Sequence, residues 1–213
     1  EGLVSSPCAM VAFFDSAAKP SADEEWERHV NTAKRKIRSE LSLADWTKFG
    51  FATARAKEFE ALGAAGDDPP GAVPREEAGK LSVQDFWEKY ERKGLPCIIY
   101  GIPQTENWPA CEKWAWSSFF KKYADASFKV GKDDSGSAVR LRVDHFEQYM
   151  KCQHDDSPIY LFDNQFKSEK KELLEDYKVP SYFPDDYMAL SKDDRPPYRW
   201  IGVGPRRSGT VMH

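Results

Sequence analysis

The last part of the chain could do chemistry through a single imidazole. Residues Tyr198 to Gly204 read as a β-strand, residues 205–209 form a Pro/Arg/Ser/Gly corner, and His213 follows. A strand that feeds a corner can aim a side chain into a pocket, because side chains alternate faces with a period of two. Metal binding is the chemistry that an aimed imidazole suggests, but one histidine cannot make a site. The other histidines are weak ligand candidates: His29 lies on a polar helix, His145 beside a helix start, and His154 in an Asp-rich turn. Cys8, Cys97, Cys111 and Cys152 contain no CxxC pair, which argues against a zinc ribbon or a redox pair and for reduced thiols in an intracellular protein. Lys34, Arg35 and Lys36 could meet a phosphate backbone or serve nuclear import, and a solvated helix face is the favoured reading of so short a cluster.

These residues need elements to hold them. From Ser21 or Asp23 a polar helix is expected, with Glu24 and Glu25 in its first turn and basic residues in its later turns, matching the macrodipole. Trp26, Val30, Ala33 and Ile37 make a narrow apolar stripe along it. Residues 61–79 are rich in Gly, Ala and Pro and read as a linker. Ser82 and Asp85 then resemble a capping box, and Val83, Phe86, Trp87 and Tyr90 repeat at helical spacing to about Arg92. Gly94 ends that helix, and Leu95 to Tyr100 reads as a short buried strand.

Trp116, Phe119, Phe120 and Tyr123 mark a second amphipathic helix, a stripe better explained as core than as a cofactor box. Ser127–Gly131 and Ala138–Val143 flank a turn at residues 133–136 and read as a hairpin. Asp144 and Glu147 suggest another capping box, and Pro158–Asp163 a strand covered on both faces. Glu169–Tyr177 reads as a short charged helix. Without a βαβα rhythm or an internal repeat, the order of elements points to α+β.

Composition sets outer limits. The 213 residues carry a net charge of −4, which argues against nucleic-acid binding by bulk charge, and 14% aromatic residues give material for a core. No run of about 18 apolar residues suggests a membrane span. Met10 to Phe14 lacks the basic flank of a signal peptide, and Glu1 in place of Met suggests that the N-terminus is missing.

The stretches DDSPIYLFD (155–163), LLEDYKVP (173–180) and RPPYRWIGVGPRRSGTVMH (195–213) resemble the JmjC family of iron(II) and 2-oxoglutarate oxygenases, in its JMJD6 (phosphatidylserine-receptor-type) branch. The resemblance runs from about Leu81 to the end. It implies residues 81–213 as the N-terminal portion of a JmjC domain, a double-stranded β-helix or cupin barrel left incomplete in this span. Residues 1–80 then form a helical or irregular N-terminal extension.

The family holds its metal with a His-x-Asp pair on one strand and a distant second His, a facial triad with open positions. His213 matches the first histidine; the Asp and the second His would fall beyond residue 213. Thr210 matches a hydroxyl, and Tyr160 a phenol, that the family uses to hold 2-oxoglutarate. Strand parity puts Thr210 and His213 on opposite faces, so a bend at Ser208 and Gly209 is assumed. The family pattern tends to place two prolines before the Arg of this corner, whereas here Pro205 is followed by Arg206 and Arg207, which are expected to be solvated.

The resemblance implies lysyl hydroxylation or arginine demethylation on protein substrates, RNA or RNA-associated proteins as further partners, no membrane, and a nuclear location with the cytoplasm second. This span alone is expected to be an inactive, aggregation-prone fragment. The alternative is a non-catalytic protein- or RNA-interaction module.

Overall fold

The computed structural model describes residues 24–54, 71–166, 170–194 and 199–210. In chain order, α1 (Glu24–Ile37), a 3-10 turn at Leu43–Thr47 and α2 (Phe51–Ala54) come first. They are followed by β1 (Arg75–Glu77), α3 (Val83–Lys89), a 3-10 turn at Glu91–Lys93, β2 (Ile98–Tyr100), α4 (Ile102–Thr105) and α5 (Ala110–Lys113). Next are α6 (Trp116–Tyr123), β3 (Ser127–Lys132), β4 (Ala138–Arg142), α7 (Val143–Cys152), β5 (Leu161–Asp163), two 3-10 segments at Lys171–Leu174 and Tyr187–Asp194, and β6 (Ile201–Val203). Helices and strands are mixed, and the described strands form three two-stranded pairs with no closed barrel, an α+β arrangement. No described helix is long and apolar enough to cross a membrane.

The chain divides into two compact units, and each is built from separated stretches. The described part of the first comprises residues 71–115 and 170–194. Here β1 runs parallel to β2, with Arg75 opposite Ile98 and Glu77 opposite Tyr100. The Ser82 hydroxyl accepts the Asp85 N–H at 3.0 Å and starts α3, while Gly94, at φ 66°, ends the following turn in the left-handed region. Phe86 and Tyr90 bury the inner face of α3 against Ala78, Leu81 and Tyr182. The Tyr182 hydroxyl lies 2.9 Å and 2.7 Å from the carbonyls of Ala78 and Leu81, which ties the 180s segment over the start of α3. Tyr90 donates to the Glu76 carboxylate at 2.5 Å, an interaction that pushes its phenol up to about 12. The buried Asp176 carboxylate takes Lys113 Nζ at 2.5 Å and Trp114 Nε1 at 2.9 Å.

Three expectations fail in this unit. Residues 71–79, read as linker, contain β1; Arg75, Glu76 and Glu77 have no apolar alternation to announce a strand, and pairing with β2 makes one. The strand expected over Leu95–Tyr100 spans only Ile98–Tyr100, and with Ile98 40% and Tyr100 50% exposed it is not buried. In place of a helix over Glu169–Tyr177 there is one 3-10 turn, in which Leu173 alone is buried, too little apolar surface to sustain a longer helix. Residues 61–70 and 167–169 lie outside the described residues.

The second unit's described residues are 24–54, 116–166 and 199–210. β3 and β4 form the expected antiparallel hairpin, with Phe128 opposite Leu141 and a register shift between Lys129 and Gly131. Its turn is built by the Asp133 carboxylate, which accepts the N–H groups of Ser135 and Ser137 at 3.0 Å and 2.9 Å. Val139 and Leu141 point inward, while Arg140 and Arg142 keep contact with solvent, as the alternation predicts. Phe119, Phe120 and Tyr123 of α6 are buried, Phe119 and Tyr123 against Phe128, and Val143, Phe146, Tyr149 and Met150 of α7 complete that core.

α1 buries Val30 and Ala33 and crosses the hairpin so closely that a Cβ on Gly131 would stand 2.7 Å from Ile37. The capping box expected at Asp144 and Glu147 is absent. α7 begins earlier, at Val143, because the Asp144 carboxylate is engaged by Arg142 and the His145 N–H, while Glu147 pairs with Lys151 at 2.7 Å. β5 pairs antiparallel with β6 and lies beside β3, where the fully buried Asp163 accepts the Lys129 N–H at 2.9 Å.

Candidate functional site

The candidate site is the corner after β6, and its position depends on a buried polar cluster in the same unit. Lys34 belongs to α1 and lies on the same face as Val30, four residues before it, and Ile37, three after it, each about one helical turn away. It is 8% exposed, so the solvated face expected for the Lys34–Lys36 cluster holds for Arg35 and Lys36 but not for Lys34. Its ammonium sits 2.7 Å and 2.6 Å from the two Asp155 oxygens, and 5.1 Å and 5.3 Å from the ring centroids of Trp46 and Tyr149. Asp155, 2% exposed, also accepts the Tyr149 hydroxyl at 2.6 Å, and that oxygen in turn accepts the Ile159 N–H at 3.0 Å. Every charge in the cluster is therefore paired, which burial demands.

The segment after α7 hands this order to the corner. Arg207 donates from Nε to the Asp155 carbonyl at 3.2 Å and from its guanidinium to Gln153 Oε1 at 3.0 Å. Arg207 has φ 69°, a left-handed conformation uncommon outside glycine that these contacts hold in place. Far from being a solvated corner residue, as expected, it is half-buried, and burial lowers its pKa. The Ser208 hydroxyl donates to the Pro205 carbonyl at 2.6 Å and closes the turn.

Across the strand pair, Leu161 faces Val203 and Phe162 faces Gly202, which brings Tyr160 opposite Gly204. A Cβ on Gly204 would meet Tyr160 Cβ at 2.9 Å and Ser208 Oγ at 2.1 Å. Only glycine permits that approach. Tyr160 is half-buried with its ring 5.7 Å from that of Phe162, and its hydroxyl has no hydrogen-bond partner among the described residues. Thr210 is exposed just beyond the turn; His213 lies outside the described residues. The arrangement thus brings Tyr160 beside the corner that leads to Thr210. Phenol and hydroxyl donors suit a carboxylate, so this donor set fits the co-substrate that the sequence resemblance implies.

Among the described residues, no group of three His, Cys, Asp or Glu side chains is placed to hold a metal ion. His29 and His145 stack with ring centroids 4.7 Å apart, and burial is the main cause that lowers the His145 pKa. His154 is exposed.

Sequence reasoning missed Asp155 and Gly204, and it read Lys34 and Arg207 as solvated. For Lys34 a signal existed, since a charged residue inside an apolar stripe calls for a buried partner. For Arg207 there was none, because its role follows from a turn conformation.

The cluster has a measurable consequence at alkaline pH. Burial, reinforced by the Asp155 charge, raises the Tyr149 phenol well above its usual 10.0. A group whose folded pKa is raised contributes stability that is complete below the unfolded value and is lost as pH climbs past it. Denaturant stability should therefore fall above about pH 10, the value of an unperturbed phenol. Tyr149→Phe, less stable at neutral pH, should show a shallower fall. An equally steep decline in the variant would remove Tyr149 as a cause.

No family model matches the chain. It is 39% identical over 191 residues to the bifunctional arginine demethylase and lysyl-hydroxylase psr-1 of Caenorhabditis briggsae, covering 87% of this chain and 45% of that protein. It is 36% identical over 134 residues to the lysine-specific demethylase JMJ21 of Arabidopsis thaliana, covering 62% of this chain and 14% of that protein. To the arginine-specific demethylase JMJ22 of the same plant it is 34% identical over 133 residues, covering 62% of this chain and 25% of that protein. The chain thus spans less than half the length of each of these relatives.

Proposed function

We propose, from the premise that the chain belongs to the JmjC family in the branch of the psr-1 proteins, that the intact protein is an iron(II)- and 2-oxoglutarate-dependent oxygenase. Its substrates in this reading are protein side chains, either lysine hydroxylated on carbon or methyl-arginine demethylated. The observation that carries the reading is the 39% identity over 191 residues to a protein with both activities in its name.

In this reading Tyr160 and Thr210 hold the 2-oxoglutarate carboxylate, and His213 is a metal ligand in a double-stranded β-helix. The family pattern's Asp and second His have no counterpart within residues 1–213. When bound, iron and 2-oxoglutarate supply the oxidation of a substrate C–H bond, coupled to loss of carbon dioxide from the co-substrate. The chain's own part is orientation. Gly204 lets Tyr160 approach the corner, and Arg207 fixes the turn from which Thr210 and then His213 follow.

Succinate release by the intact protein, driven by lysine- or methyl-arginine-bearing peptides, tests the reading. His213→Ala should abolish it. Tyr160→Phe should raise the KM for 2-oxoglutarate about tenfold or more, the loss expected for a hydrogen bond to a charged group. Peptide-driven succinate release that survives His213→Ala unchanged would sink the assignment.

A further inference from the structure

Residues 24–54 grip the segment just before β5 at more than one point. Beyond the Lys34–Asp155 pair, the Asp156 N–H donates to the Trp46 carbonyl at 2.7 Å, and the Asp156 carboxylate accepts the N–H groups of Phe49 and Phe51, each at 2.7 Å. Gly50 lies between those two donors at φ 63°, and a left-handed residue in that place turns nearby N–H groups toward one anion. Two neighbouring aspartates are thus held from the N-terminal side, Asp155 by an ammonium and Asp156 by the backbone.

The same segment holds the corner. Gln153 Oε1 accepts both the Asp155 N–H and the Arg207 guanidinium at 3.0 Å, while the Asp155 carbonyl takes Arg207 Nε at 3.2 Å. Arg207, at φ 69°, has no intrinsic preference for its left-handed backbone, so the turn depends on these acceptors being in place. A displacement of residues 153–156 would carry Arg207 with it, and Thr210 follows three residues later.

We infer that residues 24–54 are a working part of the co-substrate site, with Asp156 and Gln153 as positioning residues that set the corner for 2-oxoglutarate. In its co-substrate the inference rests on the oxygenase reading; the hold of residues 46–51 on the corner does not.

Two measurements on the intact protein test it. Amide hydrogen exchange across residues 204–210, without iron or 2-oxoglutarate, follows the corner directly. Gln153→Met keeps the length of the side chain and loses the acceptor, so exchange at the corner should speed up about tenfold or more, while the Gly136 N–H in the β3–β4 turn exchanges as before. Gln153→Glu keeps an acceptor and should exchange at the unaltered rate. Gly50→Val changes no charge, and a Cβ there meets nothing nearer than Thr53 Oγ1 at 3.9 Å, so it strains the turn alone and should act on the corner as Gln153→Met does.

In turnover, Gln153→Met should raise the KM for 2-oxoglutarate about fivefold or more and leave the KM for peptide unchanged. Partial unfolding does not produce that split, since it removes active molecules and lowers the apparent kcat alone. Unchanged corner exchange in Gln153→Met would overturn the inference, as would Gln153→Glu behaving like Gln153→Met, a faster corner with an unaltered KM for 2-oxoglutarate, or the two KM values rising together. A corner that responds to Gln153→Met but not to Gly50→Val would overturn the role of residues 24–54. Faster corner exchange in both variants of a protein that releases no succinate would sink the oxygenase reading alone.

Discussion

Lys34→Met should destabilise the protein by about 3–5 kcal/mol, the cost of leaving one partner of a buried ion pair alone. Both Asp155 oxygens lie within 2.7 Å of Lys34 Nζ, and Asp155 is only 2% exposed, so solvent cannot replace the ammonium. The variant also loses the cation from between Trp46 and Tyr149, each worth about 0.5–2 kcal/mol in a desolvated setting. Methionine keeps most of the stem that packs with Val30 and Ala33, which isolates the effect of the charge.

Two controls make the result decisive. Arg35→Met, on the exposed face of the same helix, should change stability by no more than about 0.5 kcal/mol. Lys34→Met combined with Asp155→Asn should cost clearly less than the sum of the two single changes, because the second substitution removes the charge that the first left stranded. Urea denaturation at neutral pH reads the four variants, Asp155→Asn alone included, against the unaltered protein. A Lys34→Met loss no larger than that of Arg35→Met would mean that the pair contributes nothing.

That comparison also bears on what could be read before the structure. The periodicity that placed α6 and the β3–β4 hairpin was reliable because those elements bury one face and wet the other, which is the condition for a pattern to be visible. The same periodicity puts Lys34 in the apolar stripe of α1, a phase that the composition of the three-residue basic run masks. β1 lay beyond this method, since Arg75, Glu76 and Glu77 become a strand only through β2. Tyr160 and Thr210 entered through family resemblance alone; neither residue type nor spacing singled them out. The approach of Tyr160 to Gly204 depends on pairing between strands about forty residues apart in sequence, and no local pattern encodes such a register.

Gly204→Ala should therefore disturb the candidate site more than any other single methyl group. The added Cβ would stand 2.1 Å from Ser208 Oγ and 2.9 Å from Tyr160 Cβ. The Ser208 hydroxyl can rotate away at the expense of its 2.6 Å bond to the Pro205 carbonyl, a loss of about 1 kcal/mol. Tyr160 Cβ is fixed to the backbone, so either β5 or β6 must give way, and overpacking of this kind costs about 1–3 kcal/mol. Adding Ser208→Ala should relieve the first clash but not the second, restoring only part of the stability. In the intact protein, Gly204→Ala should also weaken 2-oxoglutarate binding, because moving Tyr160 away from the corner separates the two groups proposed to share its carboxylate. Stability and co-substrate affinity both unchanged in Gly204→Ala would show that Tyr160 and the corner do not meet across this strand pair.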